Sequence, residues 1–231
     1  MLKPAVLVLV LGATVWHSYA CYERNKIWEN SGTLWTNVLE QFPDVALVLN
    51  NRGNYYGKEL GEVDRALPDY ERAIQVNPNY AKAYCNRGIV YSIKGQFEKA
   101  IPDYNKAIEL EADYYEAISN RAIVYAQMNR FEDAIKDFDH ALTLQNEDAT
   151  MWHNRATTFL QMKQFDKGLQ DYNTAIRIHP RYADAYYRRS MTYYYMQNYN
   201  QAYTDFQTAV QQLGYKADQN YTNLLMQALQ N

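Results

Sequence analysis

The chain has 231 residues, a formal net charge of −3 and two cysteines. Acidic and basic residues are interspersed, which excludes both the basic footprint of a nucleic-acid binder and the like-charge run of an acidic or basic tail. Cys21 and Cys85 lie far apart, so neither a disulfide framework nor a cysteine metal site is indicated.

The chain opens with Pro4 to Tyr22, which carry no formally charged side chain. As a helix this stretch would span roughly 28 Å, close to the hydrocarbon thickness of a bilayer. Its strongly apolar part, Ala5 to Trp16, has the length of a signal-peptide core, and Trp16, Tyr19 and Tyr22 suit an interfacial aromatic belt. Ser18-Tyr19-Ala20 offers a small-x-small cleavage pattern, and Ala20-Cys21 carries part of a lipoprotein site. Residues 1–26 are therefore an anchor, a signal and its junction, or a buried helix. An anchor or signal predicts a membrane partner through this helix, with the rest of the chain extracytoplasmic, in a periplasm or lumen. Lys3 on one side and Arg24 with Lys26 on the other leave the topology open.

Next comes a single helical segment, 27–45, with Trp28, Trp35 and Val38 as apolar positions and Pro43 as its stop. It matches the second half of the units that follow.

Those units repeat every 34 residues. Asn86-Arg87-Gly88, Asn120-Arg121-Ala122 and Asn154-Arg155-Ala156 start 34 apart; Asn51-Arg52-Gly53 precedes them at 35, and Arg188-Arg189-Ser190 follows at 34. A fixed period of this size marks a stacked solenoid, in which each unit buries the face of the next. Within 81–114 the spacing predicts one helix over about 81–94, a turn at Gly95-Gln96, and a second helix over about 97–110. Small residues recur where the two helices must approach: Gly53, Gly88, Ala122, Ala156 and Ser190 on the first, Ala66, Ala100, Ala134, Gly168 and Ala202 on the second. Aromatic columns fill the remaining space, with Tyr56, Tyr91, Tyr125, Phe159 and Tyr193 facing Tyr70, Tyr104, Phe138, Tyr172 and Phe206. Pro68 and Pro102 stand one turn inside their second helices and should bend them unless those helices start late. An Arg column, Arg52, Arg87, Arg121, Arg155 and Arg189, keeps step with an Asp column, Asp69, Asp103, Asp137, Asp171 and Asp205. Partly buried charges need partners, so the two columns are expected to meet as an ion-pair ladder. Residues 217–231, with Leu224, Leu225 and Leu229, read as a closing helix.

These columns resemble the tetratricopeptide repeat family, whose pattern is aromatic-x2-Leu-Gly-x2-Tyr, then Ala-x3-Phe, then Pro. The likeness covers 46–216 as five repeats, 46–80, 81–114, 115–148, 149–182 and 183–216, and departs from the pattern in the Arg column. It implies an all-α, right-handed superhelical solenoid of antiparallel helix pairs, whose first helices line a concave groove. It also implies a scaffold for an extended peptide or protein partner. Asn51, Asn86, Asn120 and Asn154 would form one rung per repeat, because a carboxamide can meet a peptide C=O and N–H together. The other reading of these asparagines is purely structural. Tyr187, Met191, Tyr194 and Tyr195 would be aromatic and apolar anchors at the far end, or packing for the closing helix. The family's clamp for chaperone C-termini is not expected: Asn50 and Asn54 stand at its first position, Asn86 at its second, Glu116 and Asn120 at its third; only Asn54 and Asn86 fit, and both lysines and the arginine are missing.

Tyr22 to Trp28, continuing to Leu34-Trp35, also resembles the junction of multi-spanning transmembrane and tetratricopeptide-repeat proteins. That implies an alternative role as an accessory or split-off part of a membrane glycosyltransferase system. Chemistry is otherwise absent from the pattern. His17, His140, His153 and His179 form no ligand pair at zinc spacing, and no phosphate loop or nucleophile elbow occurs. The expectation is a non-enzymatic chain with no catalytic residue, metal or cofactor.

Overall fold

The computed structural model describes the backbone of residues 4–230 and the side chains of 13–230 except that of Ile27. Every regular element among them is helical. The first, α1 (Pro4–Ile27), shows solvent-exposed Trp16, Tyr19 and Tyr22. Among the described residues no helix is long and apolar enough to cross a membrane. Most of the apolar run behind the expected anchor, 4–12, lies outside the residues whose side chains are described.

A short turn leads to α2 (Ser31–Gln41). Asn30 caps it, accepting from the Thr33 N–H at 2.9 Å, while the Thr33 hydroxyl accepts from the Asn30 N–H in return. This cap fixes the helix start after Trp28, which is consequently left in the turn and exposed instead of joining the apolar column expected for it. Leu39, with Trp35 and Val38, does pack, against Val48, Leu49, Ala73 and Ala83.

Helix pairs follow. They are α3 (Ala46–Asn54) with α4 (Val63–Val76), α5 (Ala81–Ile93) with α6 (Phe97–Leu110), α7 (Tyr115–Gln127) with α8 (Phe131–Leu144), α9 (Ala149–Gln161) with α10 (Phe165–Ile178), and α11 (Ala183–Tyr195) with α12 (Tyr199–Gln207). The closing helix is α13 (Gln219–Ala228). The chain divides after Leu110 into two compact units, each built of such pairs. Tyr70, Tyr104, Phe138 and Tyr172 are essentially inaccessible and sit against the small column. A Cβ on Gly88 would lie 2.8 Å from Tyr104 Cε1, and one on Gly53 2.6 Å from Tyr70 Cε1, so here the small residue is a steric demand. Pro68 and Pro102 lie inside α4 and α6, on the exposed side, and are not first-turn residues.

The two helices of a pair are joined by a left-handed residue. Gly95, Asn129, Lys163 and Gln197 share this column, with φ of 68°, 58°, 57° and 63°. The next N–H closes a six-residue ring in each case, as Gln164 N–H to Phe159 C=O at 2.9 Å and Asn198 N–H to Tyr193 C=O at 2.9 Å. Glycine bears this conformation without a Cβ penalty. Gln197→Gly is therefore expected to raise stability by about 0.5–1 kcal/mol in urea titration; a loss of stability would show that the Gln197 side chain holds the turn.

The ion-pair ladder is present in all five repeats. Arg Nε and Nη2 reach the two Asp oxygens at 2.8 and 2.6 Å in Arg52–Asp69 and at 2.8 and 2.7 Å in Arg87–Asp103. The pairs Arg121–Asp137 and Arg155–Asp171 both measure 2.7 and 2.8 Å, and Arg189–Asp205 2.6 and 2.7 Å. In the second unit the ladder also crosses repeats: Arg155 Nη1 donates to Asp139 at 2.7 Å and Arg189 Nη1 to Asn173 at 2.6 Å. One guanidinium thus joins the two helices of its own repeat and the second helix of the repeat before.

Candidate interaction groove

In the second unit α9 lies beside both α7 and α11. Two adjoining hollows open on these first helices. One, of about 200 Å³, is lined by Ile123, Ala126, Gln127, Asn154, Thr157 and Gln161 among others. The other, of about 340 Å³, is lined by Leu160, Gln161, Lys163, Phe165, Arg188, Met191 and Tyr195. Gln161 belongs to both walls. The helical period explains the lining: 154, 157 and 161 are one or two turns apart on α9, and 188, 191 and 195 likewise on α11.

The expected asparagine rungs meet different fates. Asn154 lines the first hollow, its Oδ1 3.3 Å from His153 Nδ1. Asn120 is half-buried and spends its amide on the Glu116 carbonyl of its own helix at 2.7 Å. Asn86 is 4% exposed and donates to Asn50 Oδ1 at 2.8 Å, so its amide group joins α5 to α3 instead of facing outward. Asn51 is half-buried on α3.

The tyrosines of α11 divide in the same way. Tyr187 is buried, stacks on Tyr215 with centroids 4.5 Å apart, and accepts the Asp218 N–H at 3.0 Å. Tyr194 is half-buried against Tyr195, Tyr199 and Tyr221. Both therefore serve the closing helix. Tyr195 is exposed and lies parallel to Phe165, with centroids 5.9 Å apart. Phe165, Gln161 and Lys163 were not singled out in the sequence, because they border the turn between paired helices and lie outside the first-helix columns.

Below the second hollow lies an electrostatic cluster. Buried His153 places Nε2 3.0 Å from Asp184 Oδ2, and Arg188 Nε lies 3.4 Å from Asp184 Oδ1. Burial opposes the Asp184 charge, but the His153 bond and charge, the Tyr215 hydroxyl and Arg188 outweigh it and hold this carboxyl down at about 2. Burial and the Asp184 charge together push Tyr215 up to about 12. A depressed carboxyl adds stability above its unfolded value near 3.8 and loses it as pH falls through 2. Asp184→Asn should thus cost about 2 kcal/mol at about pH 5, and the deficit should fade toward about pH 2. A deficit that stays constant over that window would show that Asp184 contributes by shape and not by charge. Among the described residues no group of three His, Cys, Asp or Glu could hold a metal ion.

Models of the tetratricopeptide repeat match residues 58–94, 81–114, 115–148, 149–182 and 183–212. The chain belongs to the tetratricopeptide repeat family. Such repeats are, in general, protein-interaction scaffolds. The solved structure of YrrB, described as a tetratricopeptide-repeat protein with an unusual peptide-binding site, is 21% identical with a TM-score of 0.68, over 85% of this chain and 98% of that one. PilF of Pseudomonas aeruginosa gives 18% identity and a TM-score of 0.70, over 80% and 84%. A tetratricopeptide repeat protein from Parabacteroides merdae gives 22% and 0.60, over 91% and 80%. At these identities the likeness establishes the fold. The comparison with curated proteins finds no match.

Proposed function

We propose that this chain is a non-enzymatic scaffold that holds an extended segment of a protein partner in the groove along α7, α9 and α11. The observation that carries the reading is the pair of adjoining hollows bordered by three carboxamides, Gln127, Asn154 and Gln161. Each offers a donor and an acceptor, which suits a peptide main chain and makes few demands on its sequence. The peptide-binding site of YrrB lends the same reading support by analogy of fold.

The test is crosslinked capture of partners by the full chain from its own cells, repeated with Asn154→Ala plus Gln161→Ala. Two lost bonds at about 1 kcal/mol each should weaken capture about tenfold or more with helicity unchanged. Undiminished capture would remove the groove from the reading. The uncharged run from Pro4 to Tyr22, with exposed Trp16, Tyr19 and Tyr22, further supports attachment to a membrane with the repeats on its extracytoplasmic side. An attached chain stays in the pellet after carbonate washing; an intact soluble chain would end that part of the proposal.

A further inference from the structure

Resting on that reading, we infer that the hollow of about 340 Å³ between α9, the turn after it and α11 is a side-chain pocket. Its occupant is a large apolar residue of the bound segment, flanked by an acidic side chain. The pocket is at the small end of ligand cavities, which run from roughly 300 Å³. Its floor and walls are Leu160, Phe165, Met191 and Tyr195, an aliphatic, aromatic and thioether lining that suits an aromatic or long aliphatic side chain. Phe165 and Tyr195 are already parallel, so the aromatic wall exists before anything binds.

The charge at the rim sets the second half of the inference. The lining holds two cations, Lys163 and Arg188, and no carboxylate, although the chain as a whole carries a net charge of −3. Lys163 is exposed and has no ionic partner among the described residues. The left-handed turn at φ 57° fixes its Cα at the rim. Arg188 turns its buried Nε toward Asp184 at 3.4 Å, while its side chain as a whole is 38% exposed. The guanidinium is thus held in place without being saturated. A carboxylate entering between these two cations gains charge-assisted bonds at little desolvation cost, because both are partly in solvent. The groove runs on past Gln161 into the neighbouring hollow, which gives the segment's main chain a path on that side of the pocket. The carboxylate is assigned to a side chain of that segment, and a free-carboxylate peptide tests the assignment against a chain terminus.

The test uses full-length protein and an amidated, fluorescein-labelled peptide, Ser-Gly-Asp-Glu-Phe-Glu-Asp-Gly-Ser, read by fluorescence anisotropy. Three control peptides replace Phe by Ser, replace the four acidic residues by Lys, or carry a single neutral Phe with a free C-terminal carboxylate. The inference expects the first peptide to bind at least about tenfold more tightly than every control. Lys163→Glu, an exposed substitution, and Arg188→Gln should each weaken it by about tenfold, and added salt should weaken it further. Equal binding of the Ser or Lys peptide, preference for the free carboxylate, no binding at about 1 mM, or indifference to Lys163→Glu in a protein of unchanged circular dichroism would each overturn it. The scaffold reading fails separately. If cellular partners are still captured and depend on Asn154 and Gln161 but ignore Lys163→Glu, the pocket is wrong and the groove stands; if no partner depends on Asn154 or Gln161, the groove itself falls.

Discussion

Arg155→Ala is expected to lower the unfolding free energy by about 3–5 kcal/mol at neutral pH, because it strands a buried carboxylate. The Asp171 side chain is 4% exposed and both of its oxygens accept from Arg155. Burial raises the Asp171 carboxyl above its ordinary value even against the guanidinium, which shows how much desolvation the pair must overcome. Without Arg155 the acid shifts further up. A raised carboxyl is favourable while protonated and unfavourable as pH climbs through its folded value, so the deficit of Arg155→Ala should shrink on acidification toward the unfolded value near 3.8. The double variant Arg155→Leu with Asp171→Leu should be less damaging than the single one, since it buries no lone charge. Urea titration at several pH values checks both statements. A single-variant cost below about 1 kcal/mol, flat with pH, would place the pair with ordinary surface salt bridges.

The ladder was legible because both of its columns keep the 34-residue period, and two columns that recur in step must stand in one spatial relation in every repeat. The same logic exposed the small and aromatic columns, where Gly88 is dictated by the Tyr104 ring. Period alone does not say where a helix begins. Trp28 matched its column in register, yet the Asn30 capping box starts α2 three residues later and leaves the indole outside. Nor does a column settle what each member does. Asn86 and Asn154 are equivalent in sequence, but Asn86 has Asn50 within 2.8 Å and Asn154 opens on a hollow. That difference lies in the neighbouring repeat, which imperfect repetition allows to vary. Only part of the pocket was legible, its Met191 and Tyr195 side; Lys163 in the turn and Phe165 at the start of α10 lie outside the first-helix columns that marked the groove. Tyr221 stands 34 residues after Tyr187, but it lies where the marking columns stop: Asn223 and Leu224 fall where Arg189 and Ser190 would recur, so the terminal helix does not read as another repeat.

Tyr221 is where the second large effect is expected. It is 6% exposed and packs edge-on to Tyr187, Tyr194 and Phe206 at centroid distances of 5.5, 5.7 and 6.1 Å. Its hydroxyl shares a 2.5 Å bond with Ser190 Oγ. Tyr221→Ala should cost about 3–5 kcal/mol, the usual range for emptying a core aromatic site. Tyr221→Phe should cost about 1 kcal/mol, because Ser190 keeps its 2.7 Å bond to the Ala202 carbonyl and no buried donor is orphaned. In a stack coupled only between neighbours, the loss should stay local. Hydrogen exchange should speed up in α11, α12 and α13, while the amides of α7 and α8 keep their protection. Uniform loss of protection would mean that the array unfolds as one cooperative block. The local outcome has a functional consequence, since α11 also carries Arg188, Met191 and Tyr195 of the pocket. Tyr221→Ala should therefore weaken the acidic phenylalanine peptide although Tyr221 does not touch the pocket. Tyr221→Phe, which keeps the ring against Tyr194, should leave that affinity nearly unchanged. The closing helix then acts on binding through order: it holds α11 still, so that the pocket is formed before the segment arrives.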